Sequence, residues 1–340
     1  MEHRRWTISM VLAMSAVFLL SFSPAIAQTK PIELTYSNQF VASHQMAVLA
    51  KKWGDEIEKR TKGRVKITLF AGGTLTPAPA IYDGVVKGIS DIGMSFTGFT
   101  KGRFPLMEVI DLPLVYKNGL AATRLINELY EKFKPKEFDD VKIMYLHAHG
   151  PGFIHTRRPV NKLEDLKGMK IRSTGVSAKL ITALGGTPVA MPMGEAYDAI
   201  NRGVTDGTVA PYEALEQWKL GEVIKYTIET YACSYSAGAF VVMNKNRWNS
   251  LPPDIQEIIE SIDKEWIDPT GKLWDEIDKS GKEFTLKRGN KVITLSREED
   301  ARWARATKSV LDDYVKYAQE KGVPGGEALK FCLERLRQLQ

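Results

Sequence analysis

The hydrophobic period of the chain keeps switching between two and roughly 3.6 residues, and this constrains the fold more than any other feature. "IELTYSN" alternates and is β-branched, "HQMAVLAKKWGDEIEKRTKG" has helical spacing and closes on Gly63, and "RVKITLF" alternates again. The pattern predicts a helix around 80–87, the strand "DIGMSF", a helix near 121–133 and the strand "VKIMYLHAHG". Strands and helices taking turns in this way specify an α/β fold. At 340 residues the chain exceeds what one core usually organises, so two lobes are expected.

Tyr82-Asp83, Gly88 and Asp91 recur at the same spacings as Tyr197-Asp198, Gly203 and Asp206, each set reading as a helix, a glycine exit and a strand. The echo fits two similarly wound lobes. The last third differs: "LPPDIQEIIESIDKEWIDPTGKLWDEIDKSGKEF" is helical with an expected break at Pro269, "KRGNKVITL" reads as a short strand, and Ser296 with Glu299 forms a capping box ahead of another long helix. Long helices after an α/β region are expected to lie across both lobes. No low-complexity linker is present, so the crossings are expected in short hinge segments.

Arg4 and Arg5 precede an apolar run, Ile8 to Leu20, and Ala25-Ile26-Ala27 has the small-x-small form of a signal-peptidase site. The run is short for a membrane span, which predicts a cleaved signal over 1–27 and a periplasmic mature chain starting at Gln28; an uncleaved anchor is the alternative. Losing Arg4, Arg5 and Glu2 lowers the formal charge from +6 to +5, with no basic block of the kind a nucleic-acid binder carries. Cys233 and Cys332 are the only cysteines, which excludes a small disulfide-stapled domain. Whether they form a bridge depends on a distance the sequence leaves open.

Catalytic signatures are missing: no G-x-S-x-G elbow, H-E-x-x-H, Walker lysine loop or G-x-G-x-x-G occurs. His147, His149 and His155 in "HAHGPGFIH" are the nearest thing to a metal cluster, but no carboxylate or cysteine accompanies them, so no metal or other cofactor is expected. "FAGGTLTP" reads as a capping turn before a helix rather than a phosphate loop. In "SFTGFTKGRFP", Phe96, Phe99 and Phe104 either pack in the core or line a cleft, since loops leaving strand ends border ligand sites in open α/β sheets. "LEDLKGMKIRSTG" reads as a short helix, a glycine stop at Gly168, a brief strand and a turn, with Arg172 at the strand end.

Five phrases, "AGGTLTPAPAIYDGVVKGISDIGMS", "GRFPLMEVIDLPLVY", "LEDLKGMKIRSTG", "ALGGTPVAMPMGEAYDAINRGVTDG" and "FVVMNKNRWNSLPPDIQEII", run through most of the mature chain. In that order they resemble the solute-binding proteins of tripartite ATP-independent periplasmic (TRAP) transporters, of the dicarboxylate-binding type. The resemblance implies a two-lobed periplasmic-binding-protein fold with hinge strands and a long C-terminal helix crossing both lobes. The expected lobes are 28–148 with 239–276, and 149–238 with 277–340. It also implies that Arg172, at the arginine of the family's "KGxKxR" segment, grips the ligand carboxylate. A guanidinium fork suits that task better than a lysine point charge. Asn38, Thr74, Phe96, Phe99, His149, Phe153, Thr174, Met193 and Ala210 are the further ligand-binding residues expected on this basis.

Relatives that bind sugar acids carry a glutamate and an arginine where Phe96 and Phe99 stand, and an asparagine where this chain has Ala210. A second basic residue of theirs also falls near Gly152 or Phe153. These departures imply a monocarboxylate with an apolar or aromatic body, because ligand hydroxyls buried without partners cost ~1–3 kcal/mol each. A four-carbon dicarboxylate is the runner-up. The implied role is capture without catalysis by a monomer, with delivery to the small and large membrane subunits of a TRAP permease. A binding protein serving a sensor, and a secreted enzyme using the three histidines, are the rival readings.

Overall fold

The computed structural model describes residues 30–340. The expected signal and its cleavage site therefore lie outside the described residues.

Two sheets organise the chain. Strands are β1 (Ile32–Asn38), β2 (Val65–Phe70), β3 (Ile92–Phe96), β4 (Val141–Ala148), β5 (Phe153–Thr156), β6 (Lys170–Arg172), β7 (Thr187–Val189), β8 (Gly207–Ala210), β9 (Tyr226–Ile228), β10 (Gly238–Asn244) and β11 (Lys291–Ile293). The first sheet has the order β2-β1-β3-β10-β4 and the second β11-β9-β5-β8-β6-β7. Each is parallel except around one reversed strand: β10 runs antiparallel to β3 and β4, and β5 antiparallel to β8 and β9. The chain leaves the first sheet between β4 and β5 and returns between β9 and β10 by short segments, and goes to the second sheet again between β10 and β11 through a long helix.

The helices are α1 (Gln45–Arg60), α2 (Ile81–Val86), α3 (Gly119–Phe133), α4 (Val176–Ala183), α5 (Met193–Asn201), α6 (Glu213–Gln217), α7 (Lys245–Asn249), α8 (Pro253–Lys287), α9 (Arg297–Glu320) and α10 (Gly325–Leu339). The sequence echo corresponds to one local device used twice. After α2 and after α5 the chain turns at Gly88 and Gly203, both at φ 73°. Asp91 then accepts the N–H of Thr35 beside β3, and Asp206 accepts the N–H of Lys170 beside β8. In both lobes the aspartate thus ties its own strand to the neighbouring one.

Pro269 does not break α8, contrary to expectation. Proline removes the N–H that would bond the Glu265 carbonyl. Both residues are exposed, which puts the break in the hydrogen-bond ladder on the solvent side of the helix. Apolar residues from Ile255 to Ile277 bury this helix against the first sheet, and its end reaches Gly221, beside which Thr285 is buried. Helix α9 opens with Ser296 Oγ accepting the Glu299 N–H, as the capping box predicts. It places Trp303 in the core of the second sheet and Tyr314 in the core of the first. The stretch 277–340, expected with the second lobe, does not stay there: α10 packs Ala328, Cys332 and Leu336 into the first core. Cys233 lies in the second core and Cys332 in the first, and both are free thiols.

Candidate functional site

Strands β1, β3, β6 and β8 end around one cavity, as ligand sites in open α/β sheets do. The empty space in it and at its open mouth, solvent included, comes to about 620 Å³. Gln39 and Phe40 follow β1, Phe96 ends β3, Arg172 ends β6 and Ala210 ends β8. At the lip, a Cβ on Gly175 would stand 3.1 Å from the Gly98 Cα, so backbone from the two lobes nearly touches there. A wider groove outside shares Gly98, Phe99 and Thr174 with the cavity and is rimmed by Lys101, Lys179 and Lys321.

Arg172 is 4% exposed. Its Nε donates to the Met191 carbonyl at 3.0 Å, which fixes the plane of the guanidinium. Among the described residues no carboxylate pairs with it, and its two terminal nitrogens have no hydrogen-bond partner. Burial pulls the group down to about 10, which leaves it charged at neutral pH. A buried, unpaired guanidinium is expensive unless an anion arrives. The cavity therefore has a ready place for a carboxylate.

Facing this cation is an aromatic cluster. Phe96 meets Phe40 at 6.1 Å, Phe99 at 6.2 Å and His149 at 6.1 Å, all edge to face. Trp218 and Met193 extend the apolar wall. His149 donates its Nδ1 proton to the Gly150 carbonyl, and burial pushes its ring down to about 4. It is therefore uncharged at neutral pH and offers Nε2 as an acceptor.

Of the residues expected from sequence, Arg172, Phe96, Phe99, His149, Thr174, Met193 and Ala210 come together here. Asn38, Thr74 and Phe153 do not. Asn38 is buried one position before the wall, its Oδ1 taken by the Phe40 N–H. Thr74 is exposed and bonds the Ala71 carbonyl within its own turn. Phe153 is buried and packs on Tyr212 and Tyr231, outside the cavity lining. The place near Gly152 where a second basic residue was sought belongs to Tyr235: a Cβ on Gly152 would lie 2.0 Å from its ring. Phe104 is core, packed among Tyr82, Phe138 and Phe240.

The three histidines serve separate ends. His147 Nδ1 accepts from Trp274, and His155 bridges the Thr227 hydroxyl and the Ala210 carbonyl. Among the described residues no group of three His, Cys, Asp or Glu side chains is arranged to hold a metal ion.

A family model, "Bacterial extracellular solute-binding protein, family 7" (DctP), matches residues 37–317. The chain belongs to this family. It is 28% identical to the 2,3-diketo-L-gulonate-binding periplasmic protein YiaO of Escherichia coli, over 97% of this chain and 99% of that protein. Among solved structures, it resembles a TRAP solute-binding protein from Rhodoferax ferrireducens in complex with copurified benzoate (TM-score 0.85, 27% identity, 91% of this chain and 98% of that one). A TRAP periplasmic solute-binding protein from Bordetella bronchiseptica with bound mandelate is as close (TM-score 0.85, 27% identity, 91% and 100% covered). The two-lobed fold and membership of the TRAP solute-binding proteins are thus as the sequence led us to expect.

For this TRAP solute-binding protein, sequence reasoning missed Phe40, Asp111, Glu213, Trp218 and Tyr235. Phe40 follows the end of β1 just as Phe99 follows β3, and the same strand-end rule would have found it. Asp111 lies within the phrase "GRFPLMEVIDLPLVY", whereas Glu213, Trp218 and Tyr235 fall outside all five phrases. Glu213 accepts from His44 Nε2 at 3.0 Å, while His44 Nδ1 takes the Met46 N–H and so bears no proton. Among the described residues, the helices include none long and apolar enough to cross a membrane.

Proposed function

We propose that this protein is the extracytoplasmic binding subunit of a TRAP transporter that captures a monocarboxylate with an apolar or aromatic body. Arg172 holds the carboxylate, Phe40, Phe96, Phe99 and Trp218 cover the body, and the lobes close over both. The carrying observation is the unpaired, buried Arg172 opposite an aromatic wall. The benzoate- and mandelate-bound relatives support the same ligand class. A dicarboxylate fits less well, because Arg172 is the only cationic side chain lining the described cavity and a second carboxylate would find no cation there. The mature chain works in the periplasm as a monomer, without catalysis, and hands its ligand to the membrane subunits of the permease.

Mass spectrometry of ligand carried through native purification, with a thermal-shift panel of organic acids, tests this reading. A bound aryl or aliphatic monocarboxylate should raise the melting temperature, corresponding to about 2.7 kcal/mol at a hundredfold excess over Kd. Tightest binding of sialic or uronic acids would overturn the apolar reading. Loss of stability in EDTA, restored by zinc, would instead favour the histidine site.

A further inference from the structure

Asp111 lines the cavity from the lobe opposite Arg172, at the end of the helical turn Met107–Asp111 that packs beside α3. It is 3% exposed. Its Oδ1 accepts the N–H of Gly238, the first residue of β10, at 2.8 Å. Its Oδ2 borders the cavity beside Gly98, whose missing Cβ would stand 3.3 Å away, and has no partner among the described residues. Asp275, by contrast, uses both oxygens, on the N–H groups of Gly119 and Leu120. Asp111 holds the backbone with one oxygen and presents the other to the ligand space.

No cation pairs with Asp111 among the described residues. Burial pushes its proton affinity well above the ordinary carboxylate range, and Glu108 adds in the same direction. In a neutral acid the oxygen that accepts an N–H is the carbonyl oxygen, so the proton sits on Oδ2. A hydrogen-bond donor is therefore aimed into the cavity with nothing to receive it. Such a group discriminates strongly between ligands that do and do not offer an acceptor.

We infer that Asp111 is a specificity-determining residue, its Oδ2 binding an uncharged oxygen substituent, hydroxyl or keto, on the body of the captured acid. This rests on the monocarboxylate reading above and refines it: the ligand class becomes hydroxy- or oxo-substituted monocarboxylates.

Calorimetry on the full chain tests it with phenylacetate, 3- and 4-hydroxyphenylacetate, and the 2-hydroxy, 2-oxo and 2-amino derivatives of phenylacetate. At least one oxygen-substituted acid should bind about tenfold or more tighter than phenylacetate. Asp111→Asn keeps an acceptor for Gly238 and puts an N–H donor at the Oδ2 position, so it should hold that preference within about threefold. Asp111→Leu should erase the preference while phenylacetate still binds. The proposal is overturned if no substituted acid outperforms phenylacetate, or if Asp111→Leu retains the preference. It is equally overturned if Asp111→Asn loses as much as Asp111→Leu, or if the amino acid binds tightest, because either outcome marks an ionised carboxylate reading a cation. Should Asp111→Leu fail to fold, Asp111→Asn and the amino derivative decide between these outcomes. If wild type binds none of the panel, phenylacetate included, the monocarboxylate reading has failed and this proposal falls with it; if phenylacetate binds and the substituents gain nothing, only this proposal fails.

Discussion

The two lobes bring unlike chemistry to the cavity. The second contributes a charge, Arg172, from the end of a three-residue strand held between β7 and β8. The first contributes surface, with Phe40, Phe96 and Phe99 following two adjacent parallel strands. A charge tolerates little positional error because a bidentate bond is directional, and Arg172 is braced by Met191 for that reason. Rings covering an apolar body need only contact, which several combinations of side chains supply. Affinity should therefore depend steeply on one residue of the second lobe and be spread over several of the first.

The sharpest way to break this contrast is Arg172→Ala. It should leave the fold intact and weaken binding of phenylacetate or benzoate by roughly 2–5 kcal/mol, with Arg172→Lys recovering only part. Unchanged calorimetric affinity would remove Arg172 from the site. On the other wall, Phe96→Ala and Phe99→Ala should each cost about 1–2 kcal/mol for an aryl acid, at roughly 25 cal/mol per Å² of apolar contact, and leave acetate or pyruvate nearly unaffected. Equal losses for small and large acids would mean that the rings act only through the fold.

Gly152→Ala tests the seam between the walls. The added methyl must displace the Tyr235 ring, which should lower stability by ~1–3 kcal/mol, read as a drop in melting temperature of the ligand-free protein. The smallest effect concerns pH. Burial holds His155 down at about 4, so between that value and about 6.5 the unfolded chain binds a proton that the folded chain does not, and stability contributed by His155 is lost as pH falls through this window. Asp111, Asp263 and Asp278, pushed upward by burial, act with the opposite sign. The difference between wild type and His155→Gln isolates the histidine: the variant should lose less melting temperature from pH 6.5 to 4.5, and identical profiles would show that His155 is not held neutral.

What the sequence made legible follows the range of the interactions involved. Local period placed β1 to β4 and α1 to α3 within a few residues, and Gly168, at φ 77°, stops its helical turn where the "LKG" pattern put the stop. Arg172 was legible because its position depends on a strand end next to a recognisable turn. Phe153 was misplaced because Tyr212 and Tyr231, far from it in sequence, take up its ring, and no local pattern encodes that contact. Tyr235 and Trp218 reach the cavity through tertiary contacts between segments far apart in sequence, which no period encodes. Pro269 misled because part of a proline's cost in a helix depends on what the freed carbonyl meets, and exposure, unlike composition, decides that.

The two sulfur atoms have a use unrelated to ligand. Cys233 is sealed in one core and Cys332 in the other, and burial pushes the Cys233 thiol up to about 12 and Cys332 in the same direction. Only the thiolate reacts, so neither is alkylated until its surroundings open. Timed labelling with a thiol reagent, read by peptide mass, therefore clocks each lobe separately: one rate for both sites means a single cooperative unit, and two rates mean that one lobe melts before the other.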